Sequence, residues 1–304
     1  MKRLINIFSA ILILLFYFSC ATDPEKKDSK KELLKNHSNK KAVSQNLNIS
    51  FLLDLSDRIN PEKYPNKSME FYQRDAAYIK SASDVFEEHL RSKKVLKMND
   101  KIQMYFDPAP QNQNINKISN QLKFHVTKDN ASLSLLDKIK NTYSTKPLEI
   151  YKLAIKDDKY VGSDTWRFFK SKVKDYCIEE GYRNILIILT DGYIYHKNTI
   201  IKESNLTSYI TPQDIRNFKL NKSNWEDKIE KESFGFIPIK MNLENLEVLV
   251  LGVNPDIKNA YEEDVIKKYW SDWLQNMKVK KFQIRNAGLP SDMDKLIKDF
   301  VLQE

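Results

Sequence analysis

Three apolar runs organise the chain: 49–53, 185–189 and 248–251. Each is four or five residues long, does not alternate with polar positions, and ends in a polar or glycine residue. Continuous runs of this length fit central strands of a parallel sheet covered on both faces. Weaker strand patterns lie at 101–106 and 282–285, and 122–126 fits an edge strand. Between them, apolar residues recur at helical spacing. In 68–91 they are Phe71, Tyr72, Ala76, Ile79, Ala82, Val85, Phe86 and Leu90, a 3.6-residue period over several turns. Shorter helices are expected at 133–143 and 165–180, the latter stopped by Gly181. An amphipathic helix over 260–277 carries Trp270 and Trp273 on one face, three residues apart. A last helix follows Pro290, with Ser291 as its expected N-cap.

Alternating strands and helices predict one α/β domain: an open, mostly parallel twisted sheet with helices on both faces and one antiparallel edge strand. Two stretches break the alternation. Residues 101–126 read as two consecutive strands. Residues 193–246 read as a polar, irregular insertion after the fourth strand, with one helix from Pro212.

The first residues change the picture of where this domain lives. Met1-Lys2-Arg3 precedes an apolar run to Phe18, then Ser19-Cys20. A basic start, an apolar core and a small residue make a secretory signal, and the run is short of the ~20 residues a spanning helix needs. A cysteine directly after such a run resembles the lipobox of bacterial lipoproteins, although Tyr17 and Phe18 depart from its usual residues. The resemblance implies that 1–19 is removed, that Cys20 is lipidated, and that the protein is anchored to a membrane of the bacterial cell envelope, facing the periplasm or the exterior. Residues 20–47, rich in Lys, Asp, Ser and Asn, read as a flexible tether. The domain proper is then 48–304.

Composition excludes several classes. Hydrophobic residues are 41% and charged residues 30%, a globular balance. The 6 glycines never fall within ten residues of one another, so no Gly-rich nucleotide loop can be written. The 2 cysteines exclude a disulfide scaffold, and the 4 histidines form no HExxH. Cys177 is read as a buried small hydrophobe rather than a reactive thiol. Of the net charge of +9, the leader carries +2 and 21–47 carry +3, leaving +4 for the domain. That is no nucleic-acid footprint.

In an open parallel sheet, ligands collect beyond the carboxyl ends of the strands, where strand order reverses. The polar residues there are Asp54-Leu55-Ser56-Asp57-Arg58, Asp107-Pro108, Thr190-Asp191-Gly192 and Asn254-Pro255-Asp256, together with Gly162-Ser163-Asp164-Thr165 before a helix. Two aspartates with nearby hydroxyls form a set of hard oxygen donors, which suits Mg²⁺, with no soft ligand to suggest zinc or copper.

This order of elements and residues resembles a von Willebrand factor A domain, over roughly 48–302. That family's metal-ion-dependent adhesion site is Asp-x-Ser-x-Ser after the first strand, a later Thr, and an Asp after the fourth strand. Carried over, the metal residues are Asp54, Ser56, Thr165 and Asp191, and the cofactor is Mg²⁺ or Mn²⁺. The third motif position departs: it is Arg58, and a guanidinium cannot ligate a cation. Three readings stay open. Asp57 replaces the missing ligand, Arg58 points away and leaves a weaker site, or Arg58 pairs with Asp54 or Asp191 and substitutes for the metal. A plainer alternative has both aspartates capping helix N-termini.

The resemblance implies a membrane-anchored, adhesion-type module that binds a protein partner and is not an enzyme, with Tyr193, Tyr195 and Trp225 of the insertion as aromatic contact area. The competing readings are a metal-free structural envelope lipoprotein with a degenerate site and a phosphate-ester hydrolase. Against the hydrolase, Ser56 stands where a haloacid-dehalogenase-like phosphatase has its second Asp, and no Gly-x-Ser-x-Gly elbow is present.

Overall fold

The computed structural model describes residues 45–160 and 162–303. Cys20, the leader and most of the tether lie outside them. Strand β1 (Asn46–Leu53) begins two residues before the expected boundary, because Leu47 is already a core residue. After it come α1 (Phe71–Ser92), β2 (Asn99–Phe106), α2 (Gln113–Gln121), β3 (Phe124–Thr127), α3 (Leu133–Asp157), α4 (Thr165–Ser171), α5 (Val173–Cys177) and β4 (Tyr182–Leu189). The insertion holds β5 (Lys202–Glu203), β6 (Leu206–Thr207), α6 (Pro212–Asn217), α7 (Trp225–Glu232) and β7 (Gly235–Phe236). The chain closes with β8 (Leu246–Val253), α8 (Glu262–Asn276), β9 (Lys281–Asn286) and α9 (Pro290–Leu302).

The main sheet runs β3-β2-β1-β4-β8-β9. Every neighbouring pair is parallel except β2 with the edge strand β3. The three apolar runs are the three central strands, buried along nearly their whole length. Their alternate side chains feed two cores. Ile185, Ile187 and Leu189 face α1, α3 and α9, whereas Leu186 and Ile188 face α4, α8 and the insertion. Chain order reverses between β1 and β4, whose last residues, Leu53 and Leu189, are register partners. None of the helices described is long and apolar enough to cross a membrane.

Several elements differ from the sequence pattern. Helix α2 separates β2 from β3, so these strands are not consecutive. Helix α3 runs past 143 to Asp157 with Pro147 inside it. Its buried stripe continues through Pro147, Ile150, Tyr151 and Ala154, and that burial outweighs the ~3 kcal/mol an internal proline costs. The expected helix over 165–180 is two short ones, broken at Lys172. In α9 the N-cap position is Leu289, and Ser291 makes no cap bond.

The insertion is less irregular than its polarity suggests. Thr211 and Asp214 form a reciprocal capping box before α6, and β5, β6 and β7 make a small separate sheet. Its buried residues join the core beneath α8, where the Phe236 ring lies 5.3 Å from Tyr269 and 5.2 Å from Trp273. Trp270 and Trp273 are fully buried, in an edge-to-face pair 5.8 Å apart. Cys177 is buried too, and burial pushes its thiol up to about 12.

Candidate functional site

Beyond Leu53 the chain leaves the sheet in a short turn set by Asp54. One carboxylate oxygen, Oδ1, accepts the Ser56 amide at 2.8 Å; the other, Oδ2, accepts the Thr190 hydroxyl at 3.2 Å. The Asp54 amide donates to Leu189 at 3.0 Å, so the ends of β1 and β4 are stitched together under the site. On the neighbouring strand, Asp191 Oδ1 accepts the Tyr193 amide at 3.0 Å. Gly192 (φ +96) makes the turn and its carbonyl accepts Trp270 Nε1 at 2.8 Å, which fixes the loop to α8. Neither Asp54 nor Asp191 caps a helix. Asp164 does so, accepting the Arg167 amide at the start of α4.

Arg58 turns inward rather than away. It is buried, and its Nη2 donates to Asp75 Oδ2 at 2.5 Å and to the Leu189 carbonyl at 3.0 Å. Its Nε lies 3.5 Å from Asp54 Oδ2 and makes no hydrogen bond. Asp75, on α1, also accepts the Tyr151 hydroxyl at 3.0 Å. Burial raises the pKa of Asp75, and the Arg58 charge and hydrogen bond work against that rise. Asp75 is the residue the motif reading missed. Its signal was present: it lies four residues from both Phe71 and Ile79, on the apolar face of a helix, where a lone carboxylate needs a partner.

Asp54, Asp75 and Asp191 therefore share one guanidinium, leaving two formal negative charges uncompensated. The strain falls on Asp191. Burial, then the nearby Asp54 carboxylate, lift it from 3.8 to about 7, despite the pull of Arg58. Asp57 is exposed enough to pair with Lys63 at 3.4 Å.

Above this floor opens a crevice of about 1200 Å³. Asp54, Ser56 and Asp191 line it, and Tyr64, Tyr195 and Ile257 are exposed on its wall. Thr165 does not line it. It is buried at the start of α4, with its hydroxyl 3.0 Å from that of Ser163, which does reach the wall. Of the other strand-end residues, Asp107 is held by Arg167 at 2.5 Å and Lys172 at 3.2 Å, a structural clamp. Tyr193 binds Glu262 at 2.6 Å, and Trp225 packs against the core beneath the insertion. Tyr195 is thus the one of the three expected aromatics that is free on the crevice wall.

Among the described residues there is no cluster of three or more His, Cys, Asp or Glu side chains that could hold a metal. The candidate set has two such carboxylates, and its remaining donors are hydroxyls. Compared with protein families, with curated proteins and with solved structures, the chain matches none.

Proposed function

We propose that this chain is a von Willebrand factor A-like, membrane-anchored module that binds a protein partner through a variant metal-ion-dependent adhesion site. The observation that carries the reading is the place of Arg58. Its shortest contact, 2.5 Å, is with Asp75, and its ion pair with the candidate ligand Asp54 is longer, at 3.5 Å. The charge that threatened to replace a metal is divided with a third carboxylate, which takes its closest contact. Asp54 and Asp191 both line the crevice, and a divalent cation bound between them would displace the proton that the raised Asp191 holds. The strand order, its reversal between β1 and β4 and the antiparallel edge strand support the family reading.

Asp54, Ser56 and Asp191 would hold Mg²⁺ or Mn²⁺, with Thr165, or the Ser163 hydroxyl touching it, as the remaining donor. These are hard oxygen ligands, and the loss of the second motif serine to Arg58 weakens the site. A bound ion supplies an open position for a partner's carboxylate. The protein's own residues supply the rest of the contact: Tyr64, Tyr195 and Ile257 give apolar area around a charged centre, as binding surfaces do. Lipidation of Cys20 would hold the module at the envelope.

Water-proton relaxation with Mn²⁺ tests the reading. Bound Mn²⁺ that keeps an open position enhances relaxation, and a dicarboxylate such as glutarate reverses the enhancement by filling it. No enhancement at millimolar Mn²⁺ counts against metal-dependent adhesion.

A further inference from the structure

Exposed large apolar side chains gather at opposite ends of the sheet. Tyr64, Tyr195 and Ile257 surround the crevice at the carboxyl end. At the other end stand Val95, Leu96 and Leu133, exposed to 50%, 84% and 70%. Single exposed apolar residues are normal, but these three converge. Val95 and Leu96 lie in the 3-10 turn Val95–Lys97 that leads into β2. Thr127, the last residue of β3, pairs with Asn99 at the start of β2. A turn closed by Asn130 and Ala131 onto the Thr127 carbonyl then delivers Leu133 as the first residue of α3.

Two further observations say what covers this patch. The first is charge. Lys94, Lys97 and Lys128 are exposed beside it and make no ion pair among the described residues, against two exposed carboxylates close in the chain, Asp129 and Asp137, of which Asp137 is paired with Arg91 at 3.5 Å. The second is where the chain enters. Asn46 opens β1 at this same end, and its side chain accepts Lys93 Nζ at 2.8 Å, one residue before Lys94. Cys20 lies 26 residues upstream of Asn46 in the sequence, so the chain that follows it enters the domain at this end. A lipid on Cys20 would hold this end, rather than the crevice end, next to the bilayer.

We propose that the end of the domain carrying Val95, Leu96 and Leu133 is a membrane-contact surface for anionic phospholipid, which turns the crevice away from the bilayer. Leucines enter the headgroup boundary while lysines meet the lipid phosphates, the arrangement found in interfacial segments. The lipid anchor supplies the attachment, and this surface sets how the domain stands on the bilayer. The inference rests on the reading of Cys20 as lipidated.

Depth-dependent quenching on the full lipidated chain tests it. The chain is reconstituted in phosphatidylglycerol–phosphatidylethanolamine vesicles with a spin-labelled lipid as quencher. A fluorophore is carried at Ser134→Cys or, at the crevice end, at Lys258→Cys; the buried Cys177 thiol stays unlabelled. The expected result is loss of emission at 134 and none at 258. Lys94→Glu with Lys97→Glu and Leu96→Ser restores emission at 134 while the chain still floats with the vesicles. A floating chain whose 134 probe is unquenched, or is quenched no more than the 258 probe, overturns the contact surface and leaves the anchor standing. A chain that does not float overturns the anchor reading and this inference together.

Discussion

Arg58 and Asp75 form a buried ion pair between the loop after β1 and helix α1, with Nη2 and Oδ2 2.5 Å apart. Read from the motif alone, Arg58 intrudes on a metal site. With its partner known, it is a strut that ties the site loop to α1 and, through the Leu189 carbonyl, to the end of β4. The residue that departs from the serine motif therefore also ties together the loop and the strand end that carry the candidate ligands.

This changes what Arg58→Ser should do. Returning the motif hydroxyl also strands the Asp75 carboxylate in the core, and breaking a buried pair from one side costs roughly 3–5 kcal/mol. Urea denaturation should show a loss of that size. Adding Asp75→Asn should recover much of it, since a neutral amide can still meet the Tyr151 hydroxyl. A single variant as stable as the wild type would show that the pair is not structural.

The elevated Asp191 sets a pH dependence. Between about pH 4 and 7 the folded chain keeps a proton on Asp191 that the unfolded chain has already released. The metal-free protein therefore loses stability as pH rises through that window; Asp75, also raised, acts in the same direction. Asp100 and Glu247, held low by their basic partners, act with the opposite sign, below about pH 4. A metal bound at the proposed site would displace the Asp191 proton, so Mg²⁺ affinity should climb by about tenfold per pH unit up to about 7. Calorimetry in buffers of different ionisation enthalpy reads the released proton. An affinity flat between pH 5.5 and 7.5 contradicts the assignment.

Gly252 has φ +98, and a Cβ there would lie 2.9 Å from the Thr190 carbonyl oxygen and 3.4 Å from Asp75 Oδ1. Gly252→Ala should cost about 1–3 kcal/mol in backbone strain, together with a displaced site loop and weaker metal binding. Gly181→Ala is the control: φ is +80 but no atom lies within 4 Å of the added carbon. It should cost about 1–2 kcal/mol and leave metal binding unchanged. Equal losses of metal affinity in the two variants would detach Gly252 from the site.

Iodide should reach one tryptophan of the 4. Trp166, Trp270 and Trp273 are buried, and Trp225 alone is partly exposed. Trp225→Phe should remove nearly all quenchable emission. Strong residual quenching would mean that α8 does not pack against the insertion.

The legible part of this fold was the part with local signals. Three uninterrupted apolar runs are the three central strands, and the spacing from Phe71 to Leu90 is α1. The elements misread are those where distant contacts override local preference. Pro147 stays inside α3 because Ile150 and Tyr151 are buried beyond it. The insertion hides its order because Phe236 finds its partners on α8, more than thirty residues later. At the candidate site, strand-end position places Asp54, Ser56 and Asp191 on one crevice, which they all line. Spacing could not reveal that the partner of Arg58 is Asp75, since the pair is formed by the packing of α1 and not by the loop. Thr165 was selected by motif order, and the fold sets it one hydroxyl behind the crevice wall.

On the proposed reading, Asp54 and Asp191 are open to a divalent cation because Arg58 is held chiefly by Asp75. Mn²⁺ titration followed by electron paramagnetic resonance at pH 8 tests it most directly, by counting ions bound to the wild type, Asp191→Asn and Asp75→Asn. One ion per wild-type chain, lost in Asp191→Asn, is expected. In Asp75→Asn, the freed guanidinium turns toward Asp54 and binding weakens. A wild type that binds no Mn²⁺ at millimolar concentration, or an Asp191→Asn variant that binds as the wild type does, contradicts the account.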